Sequence, residues 1–303
     1  VCPVVDGAYF GVANAHIRFD RNFVELVTVV GDRPPRGIRP LPIDAPPDRL
    51  PALTAAVRAA ADAIASFLGR FEGVHILIAD TPDIDGVAAR LTAAMVAHGG
   101  VHAIRRPVET GAGIAMEPAR YLEISEPGLP PGRVPEGRVG FAENAPPGSP
   151  GPAGSAPPGS SGSAGSAPAG SPGRAGSAPP GDPWRPEHPN GATRLVECVL
   201  CAAGDELPEA TRRYRTYLDG RAGVRVVGAS ELPRLLPGER PPALPAFVAH
   251  VLSVRDIGTT ERYLRGNDVP VTRRGPREVF VPAQAALGAA VVFRQVRSGP
   301  EPR

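Results

Sequence analysis

Apolar residues along this chain follow two alternating patterns: short runs with strand-like spacing, and longer stretches with one apolar helical face. Residues 6–19 (DGAYFGVANAHIRF) and 22–30 (NFVELVTVV) read as strands, and a Pro-rich loop follows at 34–51. Leu53, Val57, Ala60, Ile64, Phe67 and Leu68 then share one face of an amphipathic helix. A strand at 74–79 leads into a helix at 85–97, which Gly99-Gly100 ends. Shorter strands are expected at 101–106, 120–125 and 138–143. Further on, a strand at 193–202 precedes a helix at 207–218, with Leu207, Ala210, Tyr214 and Leu218 on one face. Two weaker strands are expected near Val224 and Leu235, another from Ala246, and the last ones in REVFVPA and ALGAAVVFRQV.

Two of these strand–helix units resemble each other. VHILIADTPDIDGVAARL (74–91) and AHVLSVRDIGTTERYL (249–264) each hold a histidine on an apolar strand, then an acid–isoleucine pair. In both, an apolar helix residue falls eight positions after the acid, Asp83 to Leu91 and Asp256 to Leu264. His75 and His250 align if Thr81-Pro82 is an insertion. A third copy, LVECVLCAAGDELPEATRRY, puts Glu206-Leu207 in place of the acid–isoleucine pair. Each unit is followed by further strands, so the repeating module reads as β-α-β-β-β and the chain as a product of duplication.

Composition divides the modules into two groups. Residues 145–181 are almost only Gly, Pro, Ser and Ala, without a Gly-X-Y period. Such a segment buries too little apolar surface to offset its ordering entropy, and is expected to be a disordered linker. The expected domains are therefore 1–144 and 182–298, each a module pair. Of the 303 residues, 33 are basic, all of them arginine, and the net charge is +2. That balance argues against a nucleic-acid or anionic-membrane partner. No apolar run is long enough to span a bilayer and no secretory signal is visible, so the expectation is a cytoplasmic protein. Cys198 and Cys201 form a C-x-x-C string inside a strand. Residues three apart on a strand point to opposite faces, which argues for two structural thiols rather than a metal site.

Paired βαβββ modules are the building block of the vicinal oxygen chelate superfamily. Within it the chain resembles the glyoxalase-like domain family, through WRPEHPNGA (184–192), the FVELV strand (23–27), the DIDGVAARL helix start and the ending VPAQAALGAAVVF (281–293). The resemblance implies an α+β fold in which pairs of modules form open curled-sheet cradles. It also implies that the first module lacks its opening strand and helix. That gap reads as a truncated sequence or a start misassigned at a GTG codon. If nothing in frame precedes Val1, the strand edge left open in this way predicts a protein that is either unstable or a homodimer formed by strand pairing.

The resemblance further implies a small oxygenated ligand in the cradle, held by a divalent ion (Zn, Ni, Fe or Mn) on His and Glu side chains. Such an ion would support lyase, isomerase or dioxygenase chemistry. Carried over to this chain, the ligand set is His75, Glu25 and Glu143, with Glu123 as the alternative to Glu143. Strand parity places His75, Leu77 and Ala79 toward the cradle and Val74, Ile76 and Ile78 toward the helix. The second half is the weaker candidate, because its closing strand carries Gln295 where a glutamate is needed opposite His250. The other reading of the same residues is a metal-free protein that binds or sequesters a small molecule. His188 reads as part of a tight turn at Asn190-Gly191. His16, His98 and His102 read as structural or exposed. Tyr9, Phe10 and Phe19 are candidates for lining the cradle.

Overall fold

A computed structural model describes residues 4–9, 11–19, 22–30, 50–110, 113–144 and 187–296. The linker at 145–181, most of the Pro-rich loop, Phe10 and Trp184 lie outside these residues, as do the side chains of Tyr9, Leu53 and Val57. The fold is α+β, with three sheets and a few helices.

Two modules have the expected topology in full. One runs β4 (Ile76–Asp80), α2 (Ile84–Ala93), β5 (His102–Thr110), β6 (Gly113–Glu123) and β7 (Arg138–Asn144), in the sheet order β4-β7-β6-β5. The other runs β10 (Ala246–Val254), α5 (Ile257–Arg265), β11 (Thr272–Gly275), β12 (Glu278–Val281) and β13 (Ala290–Gln295), in the same relative order. In both, the closing strand lies parallel to the opening strand, and the two intervening strands complete an antiparallel meander. The first module contributes β1 (Val4–Tyr9), β2 (Val12–Arg18) and β3 (Phe23–Val29), which form an antiparallel meander. Among the described residues no strand takes the place of its opener.

The third unit departs from expectation. After β8 (Ala192–Ala202) and α3 (Leu207–Tyr217), a single strand β9 (Val224–Gly228) returns parallel to β8. The second weak strand near Leu235 is instead a short helix, α4 (Leu232–Leu235). Its apolar residues Leu232, Leu235 and Leu236 have helical spacing, and Pro233 suits a first turn. Between β4 and β3 lies α1 (Leu50–Arg70). Its buried face runs through Ala61 and Phe67, while Leu68, expected on that face, is exposed.

The helix starts explain why the repeat is legible. Asp83 caps α2 by accepting from Gly86 N (2.8 Å), and Asp256 caps α5 by accepting from Thr259 N (2.7 Å). A second acceptor comes from the closing strand in each case. Glu143 Oε2 accepts from Ile84 N (2.8 Å) and Gln295 Oε1 accepts from Ile257 N (3.2 Å). Aligned on these caps, the two modules match with a constant offset and no insertion at Thr81-Pro82. Asp83 corresponds to Asp256 and Leu91 to Leu264, so Leu77 corresponds to His250 and His75 to Val248. The two histidines are therefore not equivalent.

The apolar cores do not follow the linker. Ile84, Leu91, Leu122, Val139 and Phe141 share one cluster with Leu200, Tyr214, Tyr217 and Phe247. Phe19, Ile17 and Val24 pack with Leu252, Val254, Ile257 and Leu264 in another. Polar contacts also cross between the halves. The fully buried Glu136 accepts from Tyr214 Oη (2.5 Å) and pairs with Arg213 (3.1 Å). Arg90 donates to the carbonyls of Thr216 and Tyr217 at the end of α3, where the helix dipole favours a cation. Asn22 pairs with both backbone groups of Leu195. No described helix is long and apolar enough to cross a membrane.

Arg213→Ala leaves the Glu136 carboxylate buried without its cation, which is expected to cost about 3–5 kcal/mol. Urea unfolding followed by circular dichroism checks this. Because residues 74–144 and 192–254 share a core, the loss should appear in one transition, and two separate transitions would contradict the shared core.

Candidate functional site

The four expected metal ligands have separate duties. His75 precedes β4 and is buried in an aromatic slot. Its ring stacks on Phe67 (centroids 5.1 Å apart, 10° between planes) and lies 4.1 Å from Phe71. Its Nε2 is 2.9 Å from the Phe71 carbonyl, so the proton sits on Nε2 and is donated there. Nδ1 is buried without a hydrogen-bond partner. Desolvation lowers the His75 pKa; the Phe71 bond opposes this and the Arg70 charge adds to it.

Glu143 is spent on the α2 cap and lies 3.6 Å from Arg120. Glu25 is exposed on β3 and accepts from Asn14 Nδ2 (2.9 Å). Glu123 is buried in an ion pair with Arg138. His75 and Glu143 lie at opposite ends of the β4–β7 pair. Arg138 N bonds the His75 carbonyl, and Glu143 is five residues further along β7, about 16 Å at the usual strand rise. Among the described residues no three His, Cys, Asp or Glu side chains come together to hold a metal ion. The donor set does not fit a divalent ion.

Strand parity in β4 is the reverse of the expectation. Leu77 and Ala79 lie opposite Val139 and Phe141 of β7 and pack with them toward α2. Ile76 and Ile78 therefore face the concave side. The register with β7 decides this, because Glu143 can reach the α2 amide only if Val139, Phe141 and Glu143 share the helix face.

The concave face of this sheet carries Ile76, Ile78, Gly140 and Ala142, with Tyr121, Glu123 and Arg138 beside them. Burial lowers the Arg138 pKa, while a hydrogen bond with Tyr121 and the Glu25 charge act in the other direction. Glu25 thus brings the first module's sheet to the same place. Asn14 and His16, both buried, share its face through the β2–β3 register. Sequence reasoning missed Arg138 and Tyr121. The available signal was alternation in RVGFAE, which sets Arg138 opposite in face to Val139 and Phe141.

The equivalent face in the second half is filled. Leu232, Leu235 and Leu236 of the α4 region pack on Val199, Val251, Phe280 and Val292. Burying each leucine is worth about 2 kcal/mol. As a result Val251 is 1% exposed, whereas its counterpart Ile78 is 42% exposed.

Other reactive side chains are accounted for. Cys198 packs with Tyr214 and Cys201 with Leu232, on opposite faces of β8, as the strand spacing predicts. Both are free and buried, and burial raises their thiols to about 12 and about 11. His98 Nδ1 accepts from Gly100 N (3.1 Å), so its Nε2 carries the proton toward Thr92 Oγ1 (2.9 Å). That tautomer cannot act as a base on the threonine. His188 donates to the Arg18 carbonyl (2.6 Å), and Gly191 takes a positive φ of 75° in the expected turn.

No protein-family profile matches the chain, and no curated protein matches it. Solved structures give distant likenesses. A hypothetical protein from Staphylococcus aureus aligns over 97% of this chain and 90% of its own, at 10% identity and a TM-score of 0.47. A triple mutant of 4-hydroxymandelate synthase from Streptomyces coelicolor aligns over 98% of this chain and 85% of its own, at 11% identity and a TM-score of 0.43. Methylmalonyl-CoA epimerase from Mycobacterium tuberculosis aligns over 35% of this chain and 90% of its own, at 18% identity and a TM-score of 0.28. The fold assignment rests on the module topology rather than on these likenesses.

His250 predicts a pH dependence. Its Nδ1 is buried without a partner, and desolvation lowers its pKa to about 4. The unfolded chain takes up a proton near pH 6.5 that the folded chain refuses. Stability should therefore be full above that pH and fall as pH drops toward 4, by roughly 3 kcal/mol at about 1.4 kcal/mol per pKa unit. His250→Leu, which copies Leu77, should flatten the dependence in that window, as measured by chemical denaturation across pH.

Proposed function

We propose that the chain binds a small oxygenated molecule, without a metal, on the concave face of the first-half sheet. The observation that carries this reading is the contrast between equivalent positions: Val251 is covered by the α4 leucines while Ile78 is left 42% exposed. A protein that fills one concave face and leaves its repeat open keeps an apolar floor in water, which is unfavourable unless something else covers it. Ile76, Ile78, Gly140 and Ala142 suit the apolar body of such a molecule. Tyr121, Arg138 and Glu25 supply polar groups for an oxygen-bearing end. The metal-dependent lyase, isomerase or dioxygenase implied by the family resemblance would need His75 to leave the Phe67–Phe71 slot and Glu143 to leave the α2 cap.

The test is twofold. Metal analysis of the purified chain should find well below one Zn, Ni, Fe or Mn per chain. One equivalent that survives dialysis and disappears in His75→Ala would overturn the metal-free reading. A panel of small carboxylic acids and hydroxyketones, screened by thermal shift with chelator present, should yield a binder. Ala142→Phe, which fills the floor, should abolish that binding, and Tyr121→Phe should weaken it several-fold. Binding that ignores both substitutions would move the site elsewhere.

A further inference from the structure

Residues 71–75 link α1 to β4, and two loops close on them. One is the β6–β7 loop (residues 124–137). Its Gly137 touches the His75 carbonyl too closely to admit a Cβ, and its Pro135 carbonyl accepts from Arg70 Nη1 (3.1 Å). The other is the equivalent β12–β13 loop (residues 282–289), whose Gly288 packs as closely on the Glu72 carbonyl. A bridge from Val74 to Phe247 ties the same link to the start of β10. Each loop presents an exposed leucine. Leu129 lies in a run where Pro127, Pro130 and Pro131 restrict the backbone. Leu287 is 56% exposed and has a φ of 54°, a left-handed conformation that leucine adopts at a cost. Leu68, near the end of α1, is exposed as well.

Two guanidinium groups accompany these leucines. Arg133 of the β6–β7 loop lies over the Phe67 ring (4.3 Å to the centroid), and Arg70 lies over Phe71 (5.5 Å). Phe67 and Phe71 are the walls of the His75 slot, so both cations contact one aromatic stack. Arg133 is half-buried, its Nη1 is buried without a hydrogen-bond partner, and burial works against its charge. Elsewhere the fold answers such cations with carboxylates: Arg138 with Glu123, Arg213 with Glu136 and Arg294 with Glu278. Among the described residues neither Arg70 nor Arg133 is in an ion pair, although Glu72 is exposed two residues from Arg70.

We infer that this junction docks a segment of another protein that carries carboxylates beside leucine-like side chains. The carboxylates meet Arg70 and Arg133 through charge-assisted hydrogen bonds. The apolar side chains cover Leu68, Leu129 and Leu287. Arginine beside apolar anchors is the composition of protein interfaces, and a leucine held by prolines loses little freedom on binding. Charge selects this occupant over a second copy, because two copies seated face to face on the patch set guanidinium against guanidinium. None of these residues belongs to the concave face, so the docking surface stands independently of ligand binding.

Random peptides displayed on phage and selected on the immobilised full chain at low salt should converge on sequences that pair Asp or Glu with Leu, Ile or Phe. The strongest of these peptides, synthesised and followed by fluorescence polarisation, should bind more weakly as salt rises. Arg70→Glu and Leu129→Ser should each weaken that binding by about tenfold. Both side chains are exposed, so the melting temperature should stay unchanged. Leu287→Gly should also weaken binding, and glycine suits the backbone there, so the loss cannot come from misfolding. The inference is overturned if no sequence converges, if the selected peptides lack carboxylates, or if their binding ignores Arg70→Glu and Leu287→Gly. A dimer by light scattering that Leu129→Ser disperses also overturns it, since a second copy would then cover the patch.

Discussion

The first amide of each module helix needs an acceptor, and in the two complete modules the closing strand provides it. Glu143 reaches Ile84 N and Gln295 reaches Ile257 N, each beside an aspartate that accepts from the third amide of the same turn. This bond ties the last strand of a module to the start of its helix. It therefore fixes the parallel register of opening and closing strands and the face each side chain presents. Val139 and Phe141 must face α2 if Glu143 does, and Arg138, Gly140 and Ala142 then face the other way. The inward polar cluster of Arg138, Glu123 and Tyr121 follows from that single constraint.

The same constraint explains why a glutamate and a glutamine can stand in equivalent places. A metal site distinguishes them, because it needs charge and a strong oxygen donor. A helix cap needs only an acceptor, and both supply one. The residues that resemble half of a metal site are thus consumed in structure, and His75 is consumed as well, in its slot between Phe67 and Phe71.

Duplicated modules need not keep duplicated roles. The concave face of the second half is closed by three leucines from the α4 region, while its counterpart in the first half stays open. The halves are joined through common cores and through the buried Glu136–Tyr214–Arg213 network rather than meeting as separate bodies. Removal of a partner from that network strands a buried charge, so the network secures one mutual arrangement of the halves.

Local pattern in the sequence was enough to reveal the modules: the strand–helix alternation, the acid–isoleucine helix starts, the HPNG turn and the opposite faces of Cys198 and Cys201. Each depends on residues a few positions apart, where strand and helix periods and capping preferences act directly. α4 was misread because a single turn, even with helical spacing, offers too few apolar positions to set it apart from a short strand. The parity of β4 was misread because it is set by a strand some 60 residues away, through the β4–β7 register and the bond from Ile84 N to Glu143. The placement of His75, the pairing of Arg138 with Glu123 and the sharing of cores across the linker were likewise decided only in three dimensions. Those outcomes depend on which surfaces meet, and no spacing along the chain records that.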